Sequence, residues 1–545
     1  MLTGLLLCMS VVIGCLLAGK ILLHFFQLES YQFPGYFRTL RRNWTKALLP
    51  GACMCALLTI LFLLSFLLSS PEPIGGGLGA GDIAILIGII LLLIAGGWLL
   101  GRKLSEKNAK KKFVLTPRVK RLYAVSFIVM TLILYGITRL INTLIDISDY
   151  FLILFFLFPL FLPLWIALCG LLAWPIEKAI SEMYFRDAQR ILRERKDLIK
   201  IGITGSWGKT SVKFILGTIL EEKYHTLVTP ASFNTPMGVT KVIRSKLEPG
   251  HRVFVSEMGA RHVGDIKEMC RLVHPQIGLL TSVGPQHLDT FKTVERVAKT
   301  KYELIDALPE DGEAFFADDG DICRSLYEKT TVRKHLTGLD PEKDELWAEE
   351  IRYSPEGSTF LLCRGDEKTE CTTQLLGELN IRNILLCAST ALSLGLSMKQ
   401  IARGIAKIRP VEHRLQLIRH PGGLNVIDDA FNSNIRGAKQ AFQVLKQFPK
   451  KRVIVTPGMV ELGEQEAEMN RAFGTAMADC CDTAILVGKK RSEAIAAGLK
   501  ENGFPEESIL VAASLEEAAS MMREITGAGD TVLFENDLPD NYSET

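Results

Sequence analysis

The segment Ile201-Gly-Ile-Thr-Gly-Ser-Trp-Gly-Lys-Thr-Ser211 runs a short β-branched stretch into a glycine turn. Lys209 and two hydroxyls then open a helical pattern that continues to about Leu220. This is the outline of a strand–loop–helix phosphate cradle. Gly205 and Gly208 let backbone N–H groups approach an anion, and the helix N-terminus adds a partial positive charge. Lys209 has the reach for β- and γ-phosphates, and Thr210 can place its hydroxyl on Mg²⁺. The pattern is irregular, because Ile203 stands where the first glycine of a P-loop is expected. Spacing alone leaves two readings open, a nucleotide site and an ordinary strand–helix turn.

Outward from this loop the chain of 545 residues is long enough for several domains. Its character changes near Trp174. Before that point long apolar runs dominate; after it, charged and apolar residues mix as in a soluble α/β protein. The net charge of +3 hides this split and gives no sign of nucleic-acid binding. The 12 cysteines are scattered without a C-x-x-C pair, which points to reduced thiols rather than a disulfide framework or a zinc site.

Five apolar runs, near residues 2–26, 47–69, 79–101, 122–141 and 151–174, have the length that a bilayer span requires. The first lacks a basic leader and is too long for a signal-peptide core, so it reads as a span. Arg38, Arg41, Arg42 and Lys46 follow the first run. Arg102, Lys103, Lys107, Lys110, Lys111, Lys112, Arg118, Lys120 and Arg121 follow the third. The alternate loops, Pro71–Leu78 and Asn142–Tyr150, carry no Lys or Arg. The positive-inside rule then places the N-terminus outside and everything after Trp174 in the cytosol of a multi-pass plasma-membrane protein. Lys20, His24 and Asp82 lie near span ends, where they can snorkel, so the region reads as an anchor or a lipid-side docking surface rather than a pump. From Pro175 to residue 199 the chain reads as an amphipathic connecting helix.

After the loop helix, Val253–Ser256 is a short β-branched strand that ends at Glu257-Met-Gly259. A carboxylate at a strand's C-terminal end beside a phosphate loop is the expected place for a Mg²⁺ ligand. Ile277–Val283 is a second buried strand, leading to Gly284-Pro-Gln-His287-Leu-Asp289. A helix from about Val294 to Leu308 carries Lys299 and Lys301. From about Pro410, strands at Leu424–Ile427, Arg452–Val455, Thr483–Val487, Ser508–Val511 and Thr531–Phe534 alternate with helices, the pattern of a doubly wound parallel sheet.

Taken in order, Thr-Gly-Ser-x-Gly-Lys-Thr-Ser, Glu-Met-Gly-Ala, Gln-His-Leu-Asp and Ala-Lys-x-Lys resemble the Mur ligases, ATP-dependent amide ligases of peptidoglycan precursor synthesis, and within them the D-alanyl-D-alanine-adding branch. Gly377-Glu-Leu-Asn380-Ile-Arg-Asn383, His413-Arg414-Leu415, Asp428-Asp429-Ala-Phe-Asn432-Ser-Asn434 and Gly458-Met-Val-Glu461-Leu-Gly463 resemble further motifs of that family. The resemblance covers roughly residues 200–535.

It implies an α/β architecture. The family's P-loop-type ATPase domain (200–409) and Rossmann-like C-terminal domain (410–545) would follow the five-helix transmembrane region (1–174) and linker helix (175–199) read from the apolar runs. It also implies roles. Gly205, Ser206, Gly208, Lys209, Thr210 and Ser211 would hold the ATP phosphates, and Thr210 and Glu257 one Mg²⁺. His287 and Lys301 would serve a second metal, with Lys301 carbamylated and Lys299 the nearby alternative. Asn380 and Asn383 would lie on the adenine side, and Arg414, Asp429 and Asn432 would close over phosphates and ribose. The implied partners are a UDP- or lipid-linked cell-wall peptide precursor, an amino acid or dipeptide, and membrane lipid.

Three departures from the family stand out. Membrane spans replace the uridine-nucleotide-binding domain. Leu379 replaces a motif histidine. Phe534-Glu-Asn-Asp-Leu-Pro539 replaces a Lys-Gly-Ser-Arg segment. Alternative readings are a poly-γ-glutamate-synthase-like membrane ligase and, from another class, an ATP-driven transporter or NTPase.

Overall fold

The computed structural model describes residues 2–68, 80–105, 112–144, 155–231, 233–431, 435–460 and 462–536. Of the residues singled out above, Asn432, Asn434, Glu461, Lys107, Lys110, Lys111, the Pro71–Leu78 loop, most of the Asn142–Tyr150 loop and Asp537–Pro539 lie outside the described residues. The chain divides into two compact units, Met1–Glu182 and Met183–Thr545.

In the second unit a six-stranded sheet is built from β1 (Ile199–Thr204), β2 (Thr226–Val228), β3 (Val253–Glu257), β4 (Ile277–Leu280), β5 (Glu313–Ala317) and β6 (Arg333–Thr337), in the order β2-β3-β1-β4-β5-β6. Every pairing is parallel. Such a sheet is covered on both faces, which is why its strands read as near-continuous apolar runs. On one face Ile201, Ile203, Val255 and Phe315 pack against Val212, Ile215 and Leu216 of helix Lys209–Leu220 and Ile381, Ile384 and Leu385 of helix Glu378–Ser393. On the other face Phe254, Met258 and Leu280 meet Val239 and Ile243, Ile266 and Met269, and Val297 and Leu304 from three further helices. Phe185, Ala188 and Leu192 join this second core.

A small antiparallel sheet of β7 (Trp347–Ser354), β8 (Gly357–Arg364) and β9 (Glu367–Thr373) buries Ala348, Phe360 and Leu362 against the first core. The last sheet holds β10 (Gln416–Arg419), β11 (Asn425–Asp429), β12 (Arg452–Thr456), β13 (Thr483–Val487), β14 (Ile509–Ala512) and β15 (Thr531–Glu535), ordered β10-β11-β15-β12-β13-β14. The strands expected here from sequence are present within a residue or two, while the expected strand Ile277–Val283 of the first sheet ends at Leu280. The edge strand β10, antiparallel to β11, was not foreseen, because its four residues show no alternation long enough to register.

Among the described residues four helices are long and apolar enough to cross a membrane, or up to five if one bent pair counts as a single span. Helices Trp44–Leu68, Ala80–Leu104, Pro117–Leu144 and Leu162–Glu194 answer to the second to fifth apolar runs. The first run is broken: Leu2–Ala18 and Lys20–Leu28 meet at Gly19 with a bend of 52°. Glycine is a common site for such a kink. The last helix continues through Pro175, where a separate linker helix was expected.

Helices Leu2–Ala18 and Ala80–Leu104 pack backbone to backbone. A Cβ at Gly97 would run into the Gly14 carbonyl, and one at Gly101 into the Leu17 carbonyl. Close approach through small residues is how apolar helices gain contact when their surroundings are as apolar as they are. Outward-facing apolar side chains remain uncovered, Phe66 and Leu67 at 77% and 78% exposure. Near one end of the bundle, Arg121 grips Glu177 through two hydrogen bonds of 2.5 and 2.8 Å, while the Arg118 guanidinium lies 3.9 Å over the Tyr31 ring.

Gly97→Leu is expected to force these two helices apart at a cost of about 1–3 kcal/mol. Thermal unfolding of the detergent-solubilised chain should show a lowered midpoint, whereas Gly88→Leu, at a position with nothing within 4 Å, should leave it unchanged.

Candidate active site

The phosphate-type loop follows β1, at the carboxyl edge of the parallel sheet, where strand order switches from β3 on one side to β4 on the other. Gly205 has φ 152°, and a Cβ there would strike the Thr281 hydroxyl; Gly208 has φ 80°, and its Cβ would lie 3.0 Å from Asn383 Oδ1. Both glycines are therefore required by their surroundings. The segment after β4 laces the loop in place. Ser206 N donates to the Ser282 carbonyl (2.9 Å), and Trp207 N donates to Ser282 Oγ (2.8 Å). Ser206 Oγ donates to the Gly284 carbonyl at 3.1 Å and accepts from Gly284 N at 3.0 Å. The Ser206 side chain thus shapes the loop from within. Lys209 Nζ donates to the carbonyls of Gly205 (2.7 Å) and Ser206 (3.2 Å), curled over the loop. Burial pushes its ammonium down to about 8, against the opposing pull of Glu257.

Glu257 ends β3, one strand away, in register with Ile203. Thr210 Oγ1 lies 3.2 and 3.1 Å from its two carboxylate oxygens. Asn234 Nδ2 donates to Oε1 at 3.1 Å, and Lys213 Nζ donates to Oε2 at 2.9 Å. Burial raises this carboxyl, but Lys213 and Lys209 outweigh it and hold it below its ordinary value. Thr210 and Glu257 together form a hard-oxygen pair. Among the described residues no group of three or more His, Cys, Asp or Glu side chains is placed to hold a metal alone. A hydroxyl and one carboxylate are the protein share that Mg²⁺ takes when water and phosphate complete its shell.

The C-terminal sheet brings the other half. His413 (φ 59°) and Leu415 (φ 47°) are left-handed, and the turn they form is pinned by β11: Leu415 N donates to Asp429 Oδ1 at 3.0 Å, and His413 Nδ1 lies 2.8 Å from Asp428 Oδ2. This aims Arg414 inward, its guanidinium 4.1 Å over the Phe431 ring. Burial pushes the Asp429 carboxyl up while Arg414 pulls it down. One narrow cavity is lined by Gly208 and Ser211 of the loop, Leu379, Asn380 and Asn383, and Arg414, Asp429 and Glu535 from the last domain. Asn380 is tied to its own helix through Nδ2 and the Leu376 carbonyl (2.9 Å). Arg436 clasps Asp319 across the two sheets, 2.7 Å from Oδ1 and 2.6 Å from the backbone carbonyl. Burial lifts that Asp319 carboxyl to about 6, against the lowering effect of Arg436.

Lys301, on helix Val294–Asp306, is 1% exposed, whereas Lys299 points to solvent. Burial, and then the like charge of Lys209, hold Lys301 well below an ordinary lysine. His287 precedes the short helix Leu288–Phe291 with φ 50° and receives Thr290 N and Thr290 Oγ1 on its carbonyl. The structure thus gathers Lys209, Thr210 and Glu257 into one cluster and Gly208, Ser211, Asn380, Asn383, Arg414 and Asp429 around one cavity. His287 and Lys301 do not line that cavity. Lys213, Asn234, Asp319 and Arg436 were not assigned roles from sequence. For Lys213 a signal existed, a lysine one helical turn after Lys209 in the run Val212–Leu216 that is otherwise apolar.

Comparison with known proteins agrees with this arrangement. Residues 203–391 match the Mur ligase middle domain, and residues 413–535 match the Mur ligase glutamate ligase domain. UDP-N-acetylmuramoyl-tripeptide–D-alanyl-D-alanine ligase of Escherichia coli K12 is 30% identical over 337 residues, 61% of this chain and 74% of that protein. The enzyme of the same name from Bacillus subtilis is 26% identical over 61% of this chain and 72% of its own length. The crystal structure of the MurF ligase of Thermotoga maritima in complex with ADP superposes with a TM-score of 0.60 at 24% identity, covering 67% of this chain and 82% of that one; it shares the fold. The chain belongs to the Mur ligase family of ATP-dependent ligases.

Proposed function

We propose that this protein is a membrane-anchored Mur-type ligase that joins an amine, D-alanyl-D-alanine or another amino compound, to the carboxylate of a cell-wall peptide precursor through an acyl phosphate. The observation that carries the reading is the meeting of two sheets at one site: Gly208 and Ser211 of the phosphate loop share a cavity with Arg414 and Asp429, and the Arg414 guanidinium interacts electrostatically with Glu257. The relatives named UDP-N-acetylmuramoyl-tripeptide–D-alanyl-D-alanine ligases support the reaction class. The apolar helices of the first unit and their uncovered side chains support the anchor, with five spans if the bent pair crosses as one.

In the first step a substrate carboxylate oxygen attacks the γ-phosphorus of ATP; the new P–O bond forms as the bond to the β-phosphate oxygen breaks, and ADP leaves. Lys209 swings from the loop carbonyls onto the β- and γ-phosphates, and the N-terminus of its helix faces the same charge. Thr210 and Glu257 would hold a Mg²⁺, which would add neutralising charge beside the transferring group. In the second step the amine nitrogen attacks the acyl carbon, phosphate departs with the electron pair, and the ammonium proton is lost to phosphate or solvent. Arg414 steadies the phosphate, and Asp429 holds Arg414. Asn380 and Asn383 flank the adenine side. The C-terminal domain excludes water that would hydrolyse the acyl phosphate. Lys301 would be a carbamylation site: burial holds its amine well below an ordinary lysine, which favours attack on CO₂ with loss of a proton, and the carbamate with His287 would offer ligands to a second Mg²⁺.

Incubating the purified chain with ATP and a panel of UDP- and lipid-linked peptides, amino acids and D-alanyl-D-alanine should yield phosphate only when an acyl donor and an amine are both present, with the amide product seen by mass spectrometry. Rapid ATP hydrolysis with neither would sink the ligase reading. Lys301→Ala should lower turnover by about 10- to 100-fold, the scale of a disturbed metal shell, and a short-chain carboxylate such as acetate should restore part of it by supplying oxygen in place of the carbamate; unchanged turnover would remove the carbamate. In membrane fractionation the chain should resist alkaline carbonate and yield to detergent.

A further inference from the structure

No step above uses Lys213, although it is one of the largest fully buried side chains in the molecule. Its Nζ lies 2.9 Å from Glu257 Oε2 and also donates to the Ala231 carbonyl, in a loop where Ala231 is held at φ 43°. The Phe214 ring stands 4.5 Å from the ammonium. The side-chain partners that share the Glu257 carboxylate, Thr210 and Asn234, are neutral, and the Lys209 ammonium is turned to the loop carbonyls. The positive charge in hydrogen-bond contact with this carboxylate is therefore that of Lys213. Ordinary structural pairing accounts for two buried charges side by side. It does not account for a permanent cation on the same carboxylate that a divalent cation must share.

We propose that Lys213 is a built-in counter-cation that tunes metal binding at Glu257. It keeps the carboxylate aimed and balanced when no nucleotide is bound. By repelling a second cation across the width of one carboxylate, it also keeps the free protein's affinity for Mg²⁺ low. The metal then arrives with the nucleotide, whose phosphates outweigh the repulsion, and leaves with ADP instead of remaining behind. The proposal rests on the ATP and Mg²⁺ reading of this site.

The test is a Mg²⁺ titration of the full-length, detergent-solubilised chain, without nucleotide and then with ADP, followed by calorimetry and by thermal unfolding. Lys213→Met keeps the bulk and removes the charge. It should bind Mg²⁺ without nucleotide at least about tenfold more tightly than the natural chain, and its unfolding midpoint should rise with Mg²⁺. The double variant Lys213→Met/Glu257→Gln should show neither effect, which ties them to this carboxylate. If Lys213→Met does not accumulate in folded form, Lys213→Gln, which retains a donor for Ala231, carries the same comparison. A lowered midpoint with Mg²⁺ affinity equal to or weaker than that of the natural chain would mean that Lys213 is only a structural partner and would overturn the proposal. ADP binding that ignores Mg²⁺ in the natural chain would instead overturn the nucleotide reading itself.

Discussion

A carboxylate taken out of water must find its charge and its lone pairs answered by the protein, and at Glu257 that demand organises the centre of the molecule. The residue is 1% exposed at the end of β3. Its partners come from separate pieces of chain: Thr210 and Lys213 from the helix after the phosphate loop, Asn234 from the loop after β2, and Thr229 Oγ1, which accepts from the Glu257 backbone N–H at 3.2 Å. Removing one member of a buried pair typically costs about 3–5 kcal/mol, more than most single contacts contribute. The strand, the helix and the loop are thereby held in one arrangement, and the phosphate loop inherits its position from it.

The rest of the site depends on a second fold element meeting the first. Strand β11 contributes Asp428 and Asp429, which hold the strained His413–Leu415 turn, and that turn is what carries Arg414 toward the loop. Two left-handed residues in succession around one arginine are a local cost of order 1–3 kcal/mol each, accepted where the direction of a side chain matters. Arg436 and Asp319 then join the two sheets directly. A ligase that must make a reactive acyl phosphate and shield it from water has a physical reason to divide its cations between two bodies that meet over the substrate.

The first unit obeys a different solvent logic. Its long helices are dominated by apolar residues and leave large apolar side chains uncovered, and two of them make close contact where Gly14, Gly97 and Gly101 let backbones touch. In water the drive for helices to associate would come from burying Leu and Phe. Here the closest packing between two of the helices is built from the smallest residues, the pattern that apolar helices use when burial of apolar surface does not drive their association.

Much of this was legible in the residues alone. The glycine spacing of the loop, the β-branched runs, the long apolar segments and the strand-end carboxylate are local patterns, set by helical and strand periodicities and by the steric freedom of glycine. They led to the parallel sheet, the loop and Glu257. The kink at Gly19, the inward turn of Ser206, the burial of Lys301 beside an exposed Lys299 and the ion pairs Lys213–Glu257 and Arg436–Asp319 were settled only by tertiary structure. Each depends on which distant segment lies opposite, and a residue's own neighbours in sequence do not carry that information. The sequence by itself determined the chemistry available to this protein, because side-chain type and spacing are local. Only the folded chain decided which charges face one another, because burial and pairing are properties of the whole packed interior.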